Sequence, residues 1–113
     1  MHELGVTQQI LEVILKKSKE AEAEKVTRIN LVIGEMTGIV DDSVQFYFDL
    51  LSKDSIAGGA ILSFERVSTL MRCRRCGFSF TLDKSLWSCP QCKEWDAEVV
   101  AGREFYIDSI EVE

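Results

Sequence analysis

The sequence predicts an α+β fold in which two helices cover a three-stranded sheet, with a small cysteine-bearing module inserted between the last two strands. Three observations lead to this prediction. Apolar residues recur with a helical period near the N-terminus, three strand-like runs are bounded by glycines, and two CxxC pairs precede the last run. A chain of 113 residues suits one compact domain, or one domain with a sub-domain too small to fold by apolar burial alone.

The first helix is predicted from Leu4 to about Lys19, because its apolar residues fall on one side of a helical wheel. A strand follows over 26–33, a run rich in β-branched residues that stops at Gly34. Asp42, with Gln45 three residues later, resembles a capping box that opens a second helix. We expect the apolar residues of that helix to lie in the core: Val44, Phe46, Tyr47, Leu50 and Leu51.

Two further strands, over 60–67 and 104–112, complete the predicted sheet. In the last one the apolar positions change parity between Ile107 and Ile110, which indicates a bulge or a strand buried on both faces. If these two strands pair with each other in antiparallel fashion, residues 70–98 are an excursion at their tip. The chain then divides into an α+β body, residues 1–69 and 99–113, and a module of residues 70–98.

The overall composition argues against nucleic acid and membranes as partners. A formal net charge of −6 would repel a phosphate backbone. The first residues carry neither the basic start of a signal peptide nor an uninterrupted apolar run. We therefore expect no membrane segment and place the protein in the cytoplasm, where paired cysteines are more often metal ligands than disulfides.

Four cysteines carry the clearest chemistry. Cys73 and Cys76 form one CxxC pair, and Cys89 and Cys92 form another after the twelve residues 77–88, a zinc pattern with a gap just short of the usual range. Two such turns can complete a closed tetrahedron around one Zn²⁺, which makes the predicted ribbon site structural and its folding dependent on metal. A redox dithiol pair, or two disulfides in an oxidising compartment, are the alternatives.

Aromatic side chains flank the cysteines, as they would in a base-stacking platform. Such a platform needs a basic surplus, but residues 70–98 hold five Lys and Arg against four Asp and Glu. We therefore expect a miniature core over the metal, formed by Phe78, Phe80, Trp87 and Trp95.

The first three residues, Met1, His2 and Glu3, offer a second set of metal donors. A lone histidine near a terminus is ordinarily a solvated side chain. However, an α-amine, the next amide nitrogen and an imidazole at position 2 can close fused chelate rings, and this planar nitrogen set suits Ni(II) or Cu(II) rather than zinc. Glu3 would add a carboxylate oxygen or position the loop. Because the amine and the amide must lose protons, binding should weaken on mild acidification.

These features occur together in one known family. Six fragments follow one another along essentially the whole chain: Met1-His2-Glu3-Leu4, Ile33-Gly34-Glu35, Gly59-Ala60-Ile61-Leu62, Cys73-x-x-Cys76-Gly77, Cys89-Pro90-x-Cys92 and Ile110-Glu111-Val112. In this order they resemble the HypA/HybF family of nickel metallochaperones.

The resemblance implies a carrier rather than an enzyme. It would insert nickel into the large subunit of NiFe-hydrogenase together with a HypB-type GTPase and, in some organisms, contribute to urease maturation. The initial Met-His-Glu would bind Ni²⁺ and the four cysteines structural Zn²⁺. A carboxylate after the first strand is connected with nickel in some members, and Asp41, beside Asp42, is its nearest counterpart. The oligomeric state stays open between monomer and homodimer.

Two departures from the family pattern leave these ligands intact. Gly5 stands where serine is usual, and Lys93 stands where glycine commonly follows the last cysteine. His2 is the only histidine, so the histidines that some relatives place beside the zinc cysteines are missing. Two alternatives come from other classes: a zinc-ribbon adaptor that binds protein or RNA without nickel, and a redox enzyme that uses the CxxC pairs.

Overall fold

The computed structural model describes residues 2–82 and 88–113, and it has an α+β architecture. In chain order its elements are α1 (Glu3–Glu20), β1 (Val26–Gly34), a 3-10 turn (Glu35–Thr37), α2 (Asp41–Ser52), β2 (Ile61–Val67), β3 (Leu70–Cys73), β4 (Ser79–Thr81), β5 (Ala97–Ala101) and β6 (Phe105–Val112). Within these residues the strands form two three-stranded sheets, with the orders β2-β1-β6 and β4-β3-β5.

The first sheet has β1 at its centre. β2 runs parallel to β1, as a strand joined through a helical crossover can, and β6 runs antiparallel to β1 on the other side. The antiparallel pairing considered for the last two predicted strands is therefore wrong, because β1 lies between them. The cysteine-bearing segment still lies between these strands in sequence, after β2 and before β6.

The predicted irregularity in the last strand is a bulge. Asn30 of β1 pairs with Ser109, but Leu31 pairs with Ile107, so Asp108 is the extra residue on β6. This extra residue lets Ile107 and Ile110 both pack against the main core despite their change of parity. The parity argument made from the sequence is confirmed.

The two helices begin at the same end of the first sheet. α1 ends at Glu20, shortly before β1 begins at Val26, and α2 follows the opposite end of β1. Both helices therefore run antiparallel to β1, and their N-termini lie at the end where β1 stops. Fully buried side chains from the helices and the sheet fill the core between them, including Ile14, Ile29 and Phe48.

α2 starts differently from the prediction. Its N-cap is Val40, which makes no side-chain cap hydrogen bond. Gln45 does not reach back to the helix start, because its Oε1 accepts a hydrogen bond from the Leu62 N–H at 3.2 Å while its Nε2 donates to Asp49. The capping box is therefore wrong, and Gln45 instead attaches α2 to β2.

The exposed side of α2 also differs from the prediction. Val44 and Phe48, four residues apart, are completely buried, whereas Phe46 and Leu50 are 64% and 63% exposed. Two residues of helix turn a side chain by about 200°, so Phe46 points away from the face that carries Val44 and Phe48. The core assignment of Phe46 and Leu50 is wrong.

Two glycines join the two sheets. A Cβ on Gly34 would lie 2.0 Å from the carbonyl oxygen of Gly102, and Gly102 has a φ of +120°. The Met36 N–H donates to that carbonyl oxygen at 2.8 Å, and the Gly34 N–H donates to the Glu104 carbonyl oxygen at 2.7 Å. The end of β1 is thus held against the segment that returns from the second sheet.

Candidate metal sites

The structure brings the four cysteines together at the end of the second sheet. The sulfurs of Cys73 and Cys92 are 3.5 Å apart, those of Cys76 and Cys89 are 3.6 Å apart, and all four lie within 4.8 Å of one another. Four sulfurs at about 2.3 Å from one zinc ion form a tetrahedron with edges of about 3.8 Å. The spacing fits a tetrathiolate metal site and exceeds the ~2.05 Å of a disulfide.

Two similar turns present these thiols. In the first, the Gly77 N–H donates to the Cys73 carbonyl oxygen at 2.9 Å, and in the second the Lys93 N–H donates to the Cys89 carbonyl oxygen at 2.8 Å. The residue after each pair is left-handed, with φ of 77° at Gly77 and 68° at Lys93. Glycine adopts this conformation without cost, whereas a lysine is strained there. The turn that ends at Lys93 is therefore less favourable in conformational energy than the turn that ends at Gly77.

Backbone N–H groups lower the pKa of some of the thiols, which favours the thiolate form that binds metal. Burial raises the pKa of Cys89, but N–H groups of Cys92 and Gln91 outweigh it and lower that pKa to about 7. The pKa of Cys73 is also lowered, mainly by the Cys76 N–H. At Cys92 the Glu94 N–H acts in the same direction, but burial and the three neighbouring thiols prevail and raise the pKa to about 12. Without metal, these four thiols do not ionise together.

The charges around the cluster pair across β3 and β5. Arg72 lies 3.2 Å from a Glu98 carboxylate oxygen, and Arg74 lies 2.9 Å from one of Asp96. The hydrogen bond to Asp96 raises the pKa of Arg74. This pairing neutralises Arg72 of β3 and Arg74, the residue that follows the strand.

The aromatic side chains near the cysteines do not form one miniature core. Phe80 is buried against Cys73 and Cys89, whereas Phe78 is 37% and Trp95 is 74% exposed. The core prediction therefore holds for Phe80 and is wrong for Trp95. Trp87 lies outside the described residues.

The N-terminal donors lie apart from the cysteines in sequence and in secondary structure. Met1 is outside the described residues, and His2 is the exposed N-cap of α1, with its carbonyl oxygen accepting the Val6 N–H at 3.0 Å. Glu3 is the first helical residue, and a shallow depression of about 280 Å³ includes His2 and Gln9. In residues 2–82 and 88–113, the cysteine cluster is the one assembled group of three or more metal-binding side chains.

Asp41, the residue weighed as a further nickel ligand, is engaged elsewhere. Its carboxylate lies 2.6 Å from Nη2 of Arg66, and the same guanidinium donates to the Ile39 carbonyl oxygen at 2.6 Å. Asp42 is exposed on the next position of α2. Both carboxylates stand at the N-terminus of α2, at the same end of the sheet as His2.

The family comparison covers nearly the whole chain. The family model described as "Hydrogenase/urease nickel incorporation, metallochaperone, hypA" matches residues 1–112. A hydrogenase maturation factor HypA from Dehalococcoides mccartyi is 53% identical over 113 residues, covering 100% of this chain and 95% of that protein. A hydrogenase maturation factor HypA from Caldanaerobacter subterraneus is 41% identical over 114 residues, covering 100% of both.

Solved structures share the fold at lower sequence identity. The solution structure of the Ni metallochaperone HypA from Helicobacter pylori has a TM-score of 0.68 at 22% identity, covering 99% of this chain and 97% of that one. A second solution structure of a HypA protein has a TM-score of 0.73 at 22% identity, covering 99% and 96%. Among the described residues, no helix is both long and apolar enough to cross a membrane.

Proposed function

Because the chain belongs to the HypA family of hydrogenase and urease nickel metallochaperones, we propose that it binds Ni(II) through Met1, His2 and Glu3 and delivers it during hydrogenase maturation. Members of this family are maturation factors, and the protein is not an enzyme. One observation carries the proposal. His2 stands exposed at the start of α1, while the four thiols are gathered into a separate cluster.

The backbone at His2 suits an amide ligand. His2 is the N-cap, with φ −102° and ψ 137°, and the N–H of an N-cap residue has no acceptor within its own helix. Its amide nitrogen can therefore lose a proton to nickel without breaking a helical hydrogen bond. The α-amine of Met1 and the imidazole of His2 would complete the nitrogen donors, and Glu3 would add an oxygen.

The electrostatics of this end of the molecule favour a carrier that releases its metal. The N-termini of α1 and α2 both carry the positive end of a helix dipole, which opposes a cation. Glu3 and Asp42 offset that field, while Asp41 is already paired with Arg66. We assign Asp41 no direct bond to nickel, because it would first have to leave Arg66.

For the cysteine cluster we propose structural Zn²⁺. Sulfur separations of 3.5 and 3.6 Å and four thiol donors fit the tetrahedral preference of zinc. A tetrathiolate leaves no open coordination position, so the zinc would fix the two turns and not activate water. This zinc ribbon would give the module its shape and present a surface to partners.

Delivery would proceed by ligand exchange, in which acceptor groups replace the nitrogen donors one by one. The acceptor we propose is the large subunit of NiFe-hydrogenase, with a HypB-type GTPase as helper, and urease maturation is a second route. A reducing cytoplasm would keep the four thiols available to zinc.

Nickel titration of the zinc-loaded protein and of His2→Ala tests the proposed site. The wild type should bind one Ni²⁺ per chain, and His2→Ala should lose at least about tenfold in affinity, because the imidazole and with it one of the two fused chelate rings is removed. Gln9→Ala, a neighbour in the same depression, is the matched control and should bind as the wild type. Zinc content should stay constant in all three proteins.

Unchanged nickel stoichiometry and affinity in His2→Ala would reject the assignment. A wild type that binds no nickel would favour the adaptor alternative. Residues fused ahead of Met1 should impair binding by moving the free amine, whereas the same residues fused after Glu113 should not.

A further inference from the structure

The four cysteines of the cluster differ in their access to solvent. Cys73 and Cys89 are 1% and 0% exposed, whereas Cys92 is half-buried and Cys76 is exposed. Each of the two turns therefore supplies one buried and one accessible cysteine. Because oxidation of a cysteine requires contact between its sulfur and the oxidant, a small oxidant in the solvent reaches Cys76 first.

Short sulfur–sulfur contacts run from one turn to the other. The Sγ atoms of Cys76 and Cys89 are 3.6 Å apart, and those of Cys73 and Cys92 are 3.5 Å apart. Each of these contacts joins an accessible cysteine to a buried one. A thiolate beside an oxidised sulfur attacks it and forms a disulfide, which protects that sulfur from further oxidation. The buried cysteine of each pair is thus placed to react with its accessible partner once that partner is oxidised.

We propose that the cluster is a peroxide-sensitive switch, in which Cys76 is oxidised first and Cys89 then joins it in a disulfide. The switch rests on the structural zinc site proposed above, because the cysteines of a tetrathiolate are held as thiolates, the form that reacts with peroxides. Hydrogen peroxide suits the exposed Cys76 because it is small and uncharged and needs no binding pocket. The N-terminal nickel donors take no part in the switch.

The oxidation proceeds in two balanced steps. The Cys76 thiolate attacks one peroxide oxygen, the O–O bond breaks, and a sulfenic acid and a hydroxide ion form, so that two electrons pass from sulfur to peroxide. The Cys89 thiolate then attacks the Cys76 sulfur, the S–O bond breaks, and a second hydroxide ion leaves as the S–S bond forms. Protons from the solvent convert both hydroxide ions to water. A second peroxide would join Cys92 to Cys73 by the same route.

The first disulfide removes metal ligands and keeps the two turns connected. Once Cys76 and Cys89 are joined, two thiols remain, whereas a structural zinc site uses four ligands. The new bond links one turn to the other and closes the intervening chain into a loop, which limits the freedom of the unfolded module. A disulfide inside one CxxC pair would leave the two turns unconnected. The oxidised module should therefore keep the second sheet without metal, whereas the reduced module should not.

Peroxide treatment of the reduced, zinc-loaded, nickel-free chain tests the order of attack. Samples taken at low conversion with excess dimedone, a reagent that labels sulfenic acids, should carry the label on Cys76. Without dimedone, peptide mass spectrometry after alkylation should find Cys76 joined to Cys89 first, and Cys73 joined to Cys92 only after further peroxide. A colorimetric indicator should record zinc release with the first disulfide, while amide NMR spectra keep the signals of the second sheet. Dithiothreitol with added zinc should restore the site.

Replacement of one cysteine by histidine tests which sulfur is attacked, because the number of zinc ligands stays at four. Cys76→His removes the exposed sulfur and leaves three cysteines and one histidine, a set that zinc also binds. Peroxide should release zinc from this variant at least about tenfold more slowly than from the wild type. Cys92→His has the same ligand set and is the matched control. It should release zinc within about threefold of the wild-type rate, because Cys76 and Cys89 are both present.

Four results would overturn the proposal. They are a first disulfide inside one CxxC pair, a first dimedone label on a cysteine other than Cys76, equal rates of zinc release from the two histidine variants, and retention of zinc and all four thiols in excess peroxide. If Cys76→His does not hold zinc, the label and the disulfide map of the wild type decide. An untreated chain without zinc would instead contradict the proposed zinc site, so the two failures are distinguishable.

Discussion

The cysteine cluster and the proposed N-terminal nickel site represent opposite ways of building a metal site. The cluster draws its four thiols from two turns separated along the chain, and Cys73 and Cys89 are buried. The N-terminal donors are consecutive in sequence and stand on an exposed helix end. A closed site assembled by the fold suits a metal that stays, whereas an open local chelate suits a metal that is passed on. The cysteine cluster would therefore hold a structural metal, and the N-terminal site would hold a metal that is delivered.

Removal of one zinc ligand should have the largest effect of the predicted changes. That effect should be confined to the second sheet and its cysteine cluster. We expect Cys89→Ser to lose zinc and unfold the second sheet, because metal binding contributes on the order of 10 kcal/mol to the folding of such small modules. Amide NMR spectra and zinc analysis would show the loss, while α1, α2 and the first sheet keep their signals. Ser88→Ala is the control. A folded second sheet in zinc-free Cys89→Ser would contradict the structural role.

Acidification should empty the two sites at different pH values. Nickel binding at the proposed site would release protons from the α-amine, whose ordinary pKa is near 8, and from an amide, so lowering the pH from about 8 to 6 should weaken nickel binding at least about a hundredfold. Zinc must also displace protons, most of all from Cys92, whose pKa is raised to about 12, but the four Zn–S bonds of a closed site contribute on the order of 10 kcal/mol and should hold zinc to a lower pH. Metal analysis after dialysis across this range should find that nickel is lost first. Earlier loss of zinc would contradict the proposal that zinc is the retained metal and nickel the released one.

The smallest expected effect distinguishes the two turns of the cluster itself. Gly77 and Lys93 share a left-handed backbone, so Gly77→Ala should weaken zinc binding and Lys93→Gly should strengthen it, each by about 1 kcal/mol. Competition with a colorimetric chelator measures both changes. Lys93→Ala, which removes the charge and keeps a Cβ in the left-handed conformation, is the control for loss of a charge. The same direction of change in both variants would show that backbone strain is not the cause.

The long periodic elements could be predicted from sequence because local pattern decides them. The first helix, predicted from Leu4 to about Lys19, spans Glu3–Glu20, and the first strand, predicted over 26–33, spans Val26–Gly34. The parity change in the last strand correctly indicated the bulge at Asp108. The cysteine spacing also predicted which thiols come together, because two CxxC turns can satisfy only a few arrangements.

The remaining features depend on tertiary contacts that local pattern does not carry. α2 has apolar residues on almost every side, so its sequence does not show that Phe48 is buried and Phe46 exposed. β5, Ala97–Ala101, is a short strand that exists through its pairing with β3, and it extends beyond the boundary of the module predicted at residue 98. The predicted division at residues 70–98 stays a prediction about independent folding. The nickel donors also stay a prediction, because metal itself would bring them together.

X-ray absorption at the nickel edge of the protein loaded with both metals tests the separation of the two sites most directly. We expect a nickel shell of nitrogen and oxygen donors alone, lost in His2→Ala, and four sulfur donors at the zinc edge of the same sample. Thiolate sulfur bound to nickel, or zinc with fewer than four sulfurs after nickel loading, would contradict this separation of the two sites.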